Sequence, residues 1–350
     1  MFEIAGLSLL AFTLSYLGVI GLRRWAESRQ ILDIPGERSS HTQPMPRGGG
    51  LAIVVVTLAG WLLYALLGPA IFCLPLLASI AGAVLVAAVS WLDDLHTLPN
   101  RVRFAAHGVG AILVILGFGY WQNFSIPFLG PLYLGWLGIV ITFLWIVGLT
   151  NAYNFMDGID GIAGGQAVVA GLGWAVLGRL SGEPLISVLG LLLAASSLGF
   201  LRHNWPPARI FMGDVGSAFL GYTLAVLPMI SAERDSHLLL VGLLFVWPFV
   251  FDTAFTFLRR LFKGENVFAA HRSHLYQRLV IVGYSHRFVT LLYMGLALIG
   301  VILALARSLK VDGSAVAICL IVPSLCLGLW LFVFREERIR AIQRRFGETS

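Results

Sequence analysis

The stretch Leu137-Gly-Ile-Val-Ile-Thr-Phe-Leu-Trp-Ile-Val-Gly-Leu-Thr-Asn151-Ala-Tyr-Asn154-Phe-Met-Asp157-Gly-Ile-Asp160-Gly161 runs from an apolar segment straight into two amides and two carboxylates. A second apolar segment, Ile162 to Leu177, rich in Ala, Val and Gly, follows at once. Roughly 20 apolar residues in a helix cross a ~30 Å hydrocarbon core. Ionisable groups are costly to place at such a boundary. Two aspartates flanked by glycine therefore read as a site rather than as a solvated loop.

The rest of the chain repeats the apolar theme. Of 350 residues, 58% are hydrophobic and 12% charged, and the mean hydropathy is +0.86, which excludes a soluble globular domain. Apolar runs near 3–22, 48–68, 71–92, 104–120, 132–150, 162–178, 186–201, 215–231, 237–258, 289–306 and 313–334 predict an all-α polytopic membrane protein of about eleven spans. Residues 1–350 read as a single integral membrane domain, with 335–350 as a basic tail. Glu3 and the absence of a basic residue before the first run, with Arg23-Arg24 directly after it, predict an uncleaved anchor with a periplasmic N-terminus. In that orientation 20 of the 24 Lys and Arg residues fall in cytoplasmic loops and the C-terminal tail. The expected topology is thus multi-pass in a bacterial inner membrane, with a cytoplasmic C-terminus.

A net charge of +6 spread over juxtamembrane loops, without interleaved aromatics, points to membrane lipid or a phosphorylated substrate and not to nucleic acid. Cys73, Cys319 and Cys326 lie in apolar runs without paired spacing and read as packing residues. Nothing in the sequence signals an oligomeric state.

With this topology the unusual polar clusters gather on one side. Asp93-Asp94 closes the third run, and adjacent carboxylates near a membrane call for a cation or proton to relieve their repulsion. In Asn204-Trp-Pro-Pro-Ala-Arg-Ile-Phe211-Met-Gly-Asp214-Val-Gly-Ser, two prolines force an extended entry, and glycines flank Asp214 where the next helix begins. That position favours an anionic group, and Asp214 could equally be a simple N-cap. In His271-Arg272-Ser-His274-Leu-Tyr-Gln-Arg278, a helix would put residues 271, 274 and 278 on one face, a phosphate-binding mixture rather than a zinc site. Arg38-Ser-Ser-His41 and Pro44-Met-Pro-Arg47-Gly-Gly-Gly50 form a turn-rich loop with phosphate-friendly donors. Asp252, seven residues before Arg259 in an apolar run, either packs helices or points into the site. His107 and His203 read as structural.

Oxygen donors favour Mg²⁺ or Mn²⁺, and with the nearby cations they suit chemistry on phosphate groups. Walker, kinase and nucleophile-elbow motifs are absent from the sequence. A reaction in the membrane plane implies a lipid substrate.

Taken in order, Pro-x-Gly-Gly-Gly, Asp93-Asp94, Asn151-Ala-x-Asn154-x-x-Asp157-Gly-x-Asp160-Gly, Phe211-Met-Gly-Asp214-x-Gly-Ser and the His-rich last loop resemble the polyprenyl-phosphate N-acetylhexosamine-1-phosphate transferases of glycosyltransferase family 4. The resemblance spans Asp33 to Arg278 and is strongest to the bacterial branch that starts O-antigen synthesis. It implies transfer of a sugar 1-phosphate (GlcNAc, FucNAc or QuiNAc type) from a UDP-N-acetylhexosamine to undecaprenyl phosphate, with release of UMP at the cytoplasmic face. By resemblance, Asp214 and Asn154 would hold Mg²⁺, and Asp93 would contact or deprotonate the lipid phosphate beside Asp94. Phe211, Asn204 and Asp160 would form the uridine pocket next to Asp157. His271, Arg272 and His274 would hold the pyrophosphate or sugar, with Arg278, Arg47 and His41 as further substrate contacts.

Two departures, Asp-Asp-Leu-His-Thr where the peptidoglycan enzyme ends its motif in Lys, and His271-Arg-Ser-His274 in place of adjacent histidines, argue against a muramoyl-pentapeptide substrate. The rival class is a secondary transporter with membrane carboxylates, but transporters set such groups near the midplane, where only Asp252 is clearly placed. A CDP-alcohol phosphotransferase would need an Asp-rich single helix, which the sequence lacks.

Overall fold

The computed structural model describes residues 2–35, 43–67, 74–126, 128, 130–230, 237–267, 269 and 271–347. Every apolar run occupies a helix of its own: α1 (Phe2–Arg29), α2 (Gly50–Leu67), α3 (Leu74–His96), α4 (Asn100–Phe118), α5 (Leu137–Phe155), α6 (Ile162–Leu180), α7 (Pro184–Asn204), α8 (Asp214–Ile230) and α9 (His237–Phe262), then, after the short α10 (Leu275–Ile281), α11 (His286–Ser308) and α12 (Ser314–Gly347). Among the described residues, eight helices are long and apolar enough to cross a membrane, and α2 and α8 are shorter apolar helices. The protein is a polytopic membrane protein.

α8 is the hub. Its 17 residues span roughly 25 Å, every one from Val215 to Ile230 is buried, and it packs against α2 through α7 and α9. A helix apolar all round is stable only when protein surrounds it. α6 and α7 approach so closely that Gly171 and Gly190 bring their backbones into contact, which accounts for the small-residue composition of that run. The outer helices α1 and α12 keep their apolar faces outward, with Leu9 and Leu320 more than half exposed, as side chains in contact with lipid are.

Three features differ from the sequence reading. First, two small antiparallel pairs interrupt the helical pattern: β1 (Leu32–Asp33) with β2 (Met45–Pro46), and β3 (Asn123–Ile126) with β4 (Gly130–Tyr133). Second, α12 continues without a break through residues 335–347 of the basic tail, where the Arg340 guanidinium donates to the Val282 carbonyl. Third, residues 271–274 are not helical. α10 starts at Leu275 with His274 as its N-cap (φ −62°, ψ 149°), so no helical face carries His271, His274 and Arg278 together. Cys319 and Cys326 are free thiols.

Candidate active site

The ends of the helices that carry the polar clusters converge. A cavity of about 240 Å³ is lined by Asp33, Arg47, Asp94, Asn154, Asp157 to Asp160, Asn204, Phe211 to Asp214, Gln277 and His286. Its residues come from helix ends and loops in five separate parts of the chain, so clusters more than 100 residues apart share one end of the bundle.

One wall is built by backbone pairing. The Phe211 N–H donates to the Pro46 carbonyl (2.8 Å), and the Gly49 and Gly50 N–H groups donate to the carbonyls of Phe211 (3.0 Å) and Met212 (2.8 Å). Gly50 lies against Gly216 so closely that a Cβ on Gly50 would sit 2.4 Å from the Gly216 Cα. The glycine run thus packs backbone on backbone at the mouth of α8.

Asp94 caps α8. Its carboxylate accepts the N–H groups of Asp214 and Val215, both at 3.0 Å, satisfying donors that a helix start leaves open. Asp214 is the first residue of that helix, so its own carboxylate is free of the capping task and faces the cavity. Arg47 donates to the Asp94 carbonyl. The neighbouring Asp93 turns elsewhere. It accepts the Leu98 N–H and an Arg103 bond of 2.9 Å, while the same Arg103 nitrogen reaches Asp214 at 2.7 Å. Arg103 therefore clamps Asp93 to Asp214, a role no local motif announced.

The 155–161 loop forms a further wall. Asn154 donates to the Ser217 hydroxyl (2.9 Å), hydrogen-bonds the Asp214 carboxylate and lines the cavity with it. Asp157 lies half-buried among Asp214, Asp94 and Asp160; burial, then those negative charges, push its carboxyl up to about 8. Asp160 accepts the Ala208 N–H (3.0 Å) and lies 3.4 Å from the His286 ring, while its carbonyl takes the Thr290 hydroxyl (2.8 Å). Asn204 lines the cavity but commits its amide to two bonds: it accepts from Gly161 N–H (2.8 Å) and donates to the Ile210 carbonyl (2.9 Å). It braces the loop against the segment that carries Phe211. Asn151 pairs with His107 (3.1 Å), and His203 reaches the Tyr16 carbonyl (3.2 Å), so both histidines are built into helix contacts.

The His-rich segment stands beside the cavity, which receives only Gln277 from it. The rings of His271 and His274 are 5.1 Å apart. Burial, with the nearby cationic groups, lowers the His271 imidazole to about 4. His274 is buried against Asp252 (3.2 Å). Arg278 pairs with Glu337 of α12 through two bonds. Arg272 is half-buried outside the cavity lining, and His41 lies outside the described residues.

Among the described residues, no three of His, Cys, Asp and Glu close into a metal cage. Mg²⁺ does not need one, since it is commonly held by one or two carboxylates plus water and substrate phosphate. The hard oxygens of Asp214 and Asn154, with Asp157 and Asp94 crowding the same cavity, fit that ion. Asp33, Arg103, Gln277, His286 and Glu337 are the participants that sequence reading missed. Asp33, Arg103, His286 and Glu337 sit in no motif, Gln277 stands inside the His271–Arg278 run without being singled out, and all five are placed by tertiary packing.

The chain's relatives identify its family. Residues 76–232 match the family model described as "Glycosyl transferase family 4". The chain is 36% identical over 286 residues to a "Probable undecaprenyl-phosphate N-acetylglucosaminyl 1-phosphate transferase" of Bacillus subtilis (strain 168), covering 79% of this chain and 78% of that protein. This chain belongs to glycosyl transferase family 4. It is also 32% identical over 322 residues to the "Decaprenyl-phosphate N-acetylglucosaminephosphotransferase" of Mycobacterium leprae (strain TN), covering 83% of this chain and 80% of that one. A "Phospho-N-acetylmuramoyl-pentapeptide-transferase" of Listeria welshimeri is 28% identical over 284 residues, covering 77% and 84% of the two chains. Family 4 members bearing such names transfer a sugar 1-phosphate to a polyprenyl phosphate.

Proposed function

We propose that this transferase moves an N-acetylhexosamine 1-phosphate from a UDP-sugar to undecaprenyl phosphate, releases UMP, and so starts a cell-surface polysaccharide such as O-antigen at the cytoplasmic face of a bacterial inner membrane. The observation that carries the reading is the gathering of Asp94, Asn154, Asp157 and Asp214 with Arg47 in one cavity at one end of the helices. The names of the two N-acetylglucosamine relatives make GlcNAc the first sugar to test. The basic loops, read by the positive-inside rule, support a cytoplasmic site in an eleven-span chain.

An oxygen of the lipid phosphate attacks the sugar-bearing phosphorus, the bond between the two donor phosphates breaks, and UMP carries the electron pair away. Phosphate monoesters have a second pKa near 6, so the acceptor is already dianionic at neutral pH and no strong base is required. Asp93, engaged by Arg103 and Leu98, accordingly serves to position. Asp214 and the Asn154 oxygen would hold Mg²⁺, or Mn²⁺, which supplies neutralisation of the donor phosphates. Arg47 adds a fixed cation at the cavity, Asp94 keeps the start of α8 in place, and Phe211 lines the same cavity as Asp160.

The test is to incubate the purified protein with undecaprenyl phosphate, Mg²⁺ and a panel of UDP-sugars and to measure released UMP. Metal-dependent UMP release that requires the lipid supports the reading; solute uptake by proteoliposomes without UMP release overturns it in favour of a transporter.

A further inference from the structure

Asp252 is fully buried in α9, seven residues before Arg259 and hence roughly 10 Å along the helix from it. It is absent from the cavity lining. Its carboxylate nevertheless collects five donors: the His274 ring (3.2 Å), the Leu275 N–H (2.8 Å), the Tyr276 N–H (3.1 Å), the Tyr293 hydroxyl (2.6 Å) and the Thr256 hydroxyl (3.2 Å). Three of these come from the segment that begins α10. A buried carboxylate is expensive unless its bonds are all made, and apolar side chains would pack α9 against α11 without it. The arrangement is therefore explained by what it holds.

What it holds reaches the cavity. Tyr276 extends across to donate to the Phe155 carbonyl (3.0 Å), at the start of the loop that carries Asp157 and Asp160. Gln277 lines the cavity and accepts the His274 N–H (3.3 Å). Arg278 ties the same turn to Glu337. All these groups move with the first turn of α10.

We propose that Asp252 is a positioning residue for the transfer reaction, fixing the start of α10 from inside the helix bundle so that Gln277 and the 155–160 loop keep their places at the cavity. The proposal rests on the transferase reading above. Asparagine isolates the effect: its NH₂ group cannot accept, so at least one of the backbone N–H groups now bound is left without an acceptor at nearly unchanged volume.

The experiment uses the full chain in nanodiscs, as wild type, Asp252→Asn and Tyr293→Phe. The second variant removes one donor, leaves the backbone pair bonded, and reports even where the first fails to fold. The readouts are UMP release with UDP-GlcNAc and undecaprenyl phosphate, half-saturating Mg²⁺, melting temperature, and amide exchange of peptides covering 271–281. Asp252→Asn should lower kcat/KM on the order of tenfold to a hundredfold, well below its melting temperature. Half-saturating Mg²⁺ should stay as in wild type, and exchange should accelerate within 271–281, with a smaller change of the same sign in Tyr293→Phe. Wild-type kinetics in both variants, or losses that follow a uniform rise in exchange across all helices, overturn the proposal. A wild type that releases no UMP overturns the transferase reading instead, and the local exchange of 271–281 then still decides whether Asp252 holds this segment.

Discussion

Substituting Gly158 by alanine should jam the contact between the 155–161 loop and α10. A Cβ at this position would lie 2.1 Å from the Tyr276 hydroxyl, 3.1 Å from its Cζ and 3.3 Å from its Cε2. Ordinary contact needs about 3.4 Å or more, so the ring must retreat by roughly 1 Å, and Tyr276 is fully buried with its hydroxyl bonded to the Phe155 carbonyl. Overpacking of this kind costs about 1–3 kcal/mol, and the lost hydrogen bond about 1 kcal/mol more. Since Asp157 and Asp160 ride on the loop, a ~1 Å displacement should also cost turnover up to about a hundredfold. Tyr276→Phe supplies the control. It removes the atom at 2.1 Å and leaves the closest contact at 3.1 Å, which a shift of a few tenths of an ångström relieves. The double variant should therefore melt above Gly158→Ala and recover much of its UMP release, although Tyr276→Phe alone weakens the protein. Thermal unfolding in detergent and initial rates of UMP release measure both quantities. A Gly158→Ala protein with wild-type melting and rate, or a double variant worse than either single one, would refute the reasoning.

Asp157 gives a pH dependence. Its folded-state pKa of about 8 lies above the ordinary carboxyl value of 3.8, so the folded protein keeps a proton that the unfolded chain gives up. Stability without added cation should fall as pH rises from about 4 through 8. Mg²⁺ should raise the melting temperature more at pH 8.5 than at pH 6, and an equal or smaller gain at pH 8.5 would count against the acid cluster as the ion's site. Asp93→Asn should leave measurable UMP release, because the lipid phosphate needs no strong base; near-complete loss even at high pH would restore proton removal as its task. Asp214→Ala should abolish Mg²⁺-dependent turnover, and an unchanged metal response would remove it from the ligand set. Glu337→Gln should lower the melting temperature more than Arg278→Gln, since it strands a side chain 10% exposed rather than one 33% exposed; the reverse order would show that the pair is not what fixes α10 to α12.

The sequence alone determined the membrane class, the place of every apolar helix and the set of acidic motifs. The physical reason is that lipid demands contiguous apolar residues and punishes stray charge, so both signals are local and survive in the linear chain. It did not separate the two members of Asp93-Asp94. One caps α8 and the other joins Arg103, a choice made by a helix start 120 residues away. The same holds for Asn204, whose pocket-facing role by resemblance meets an amide already bonded on both sides, and for the 271–278 segment, where helical periodicity suggested a shared face and Asp252 instead starts the helix at Leu275. Arg103, His286 and Glu337 carry no motif at all. Their partners are chosen by which helix ends meet, and only tertiary packing around α8, buried from Val215 to Ile230, decided that.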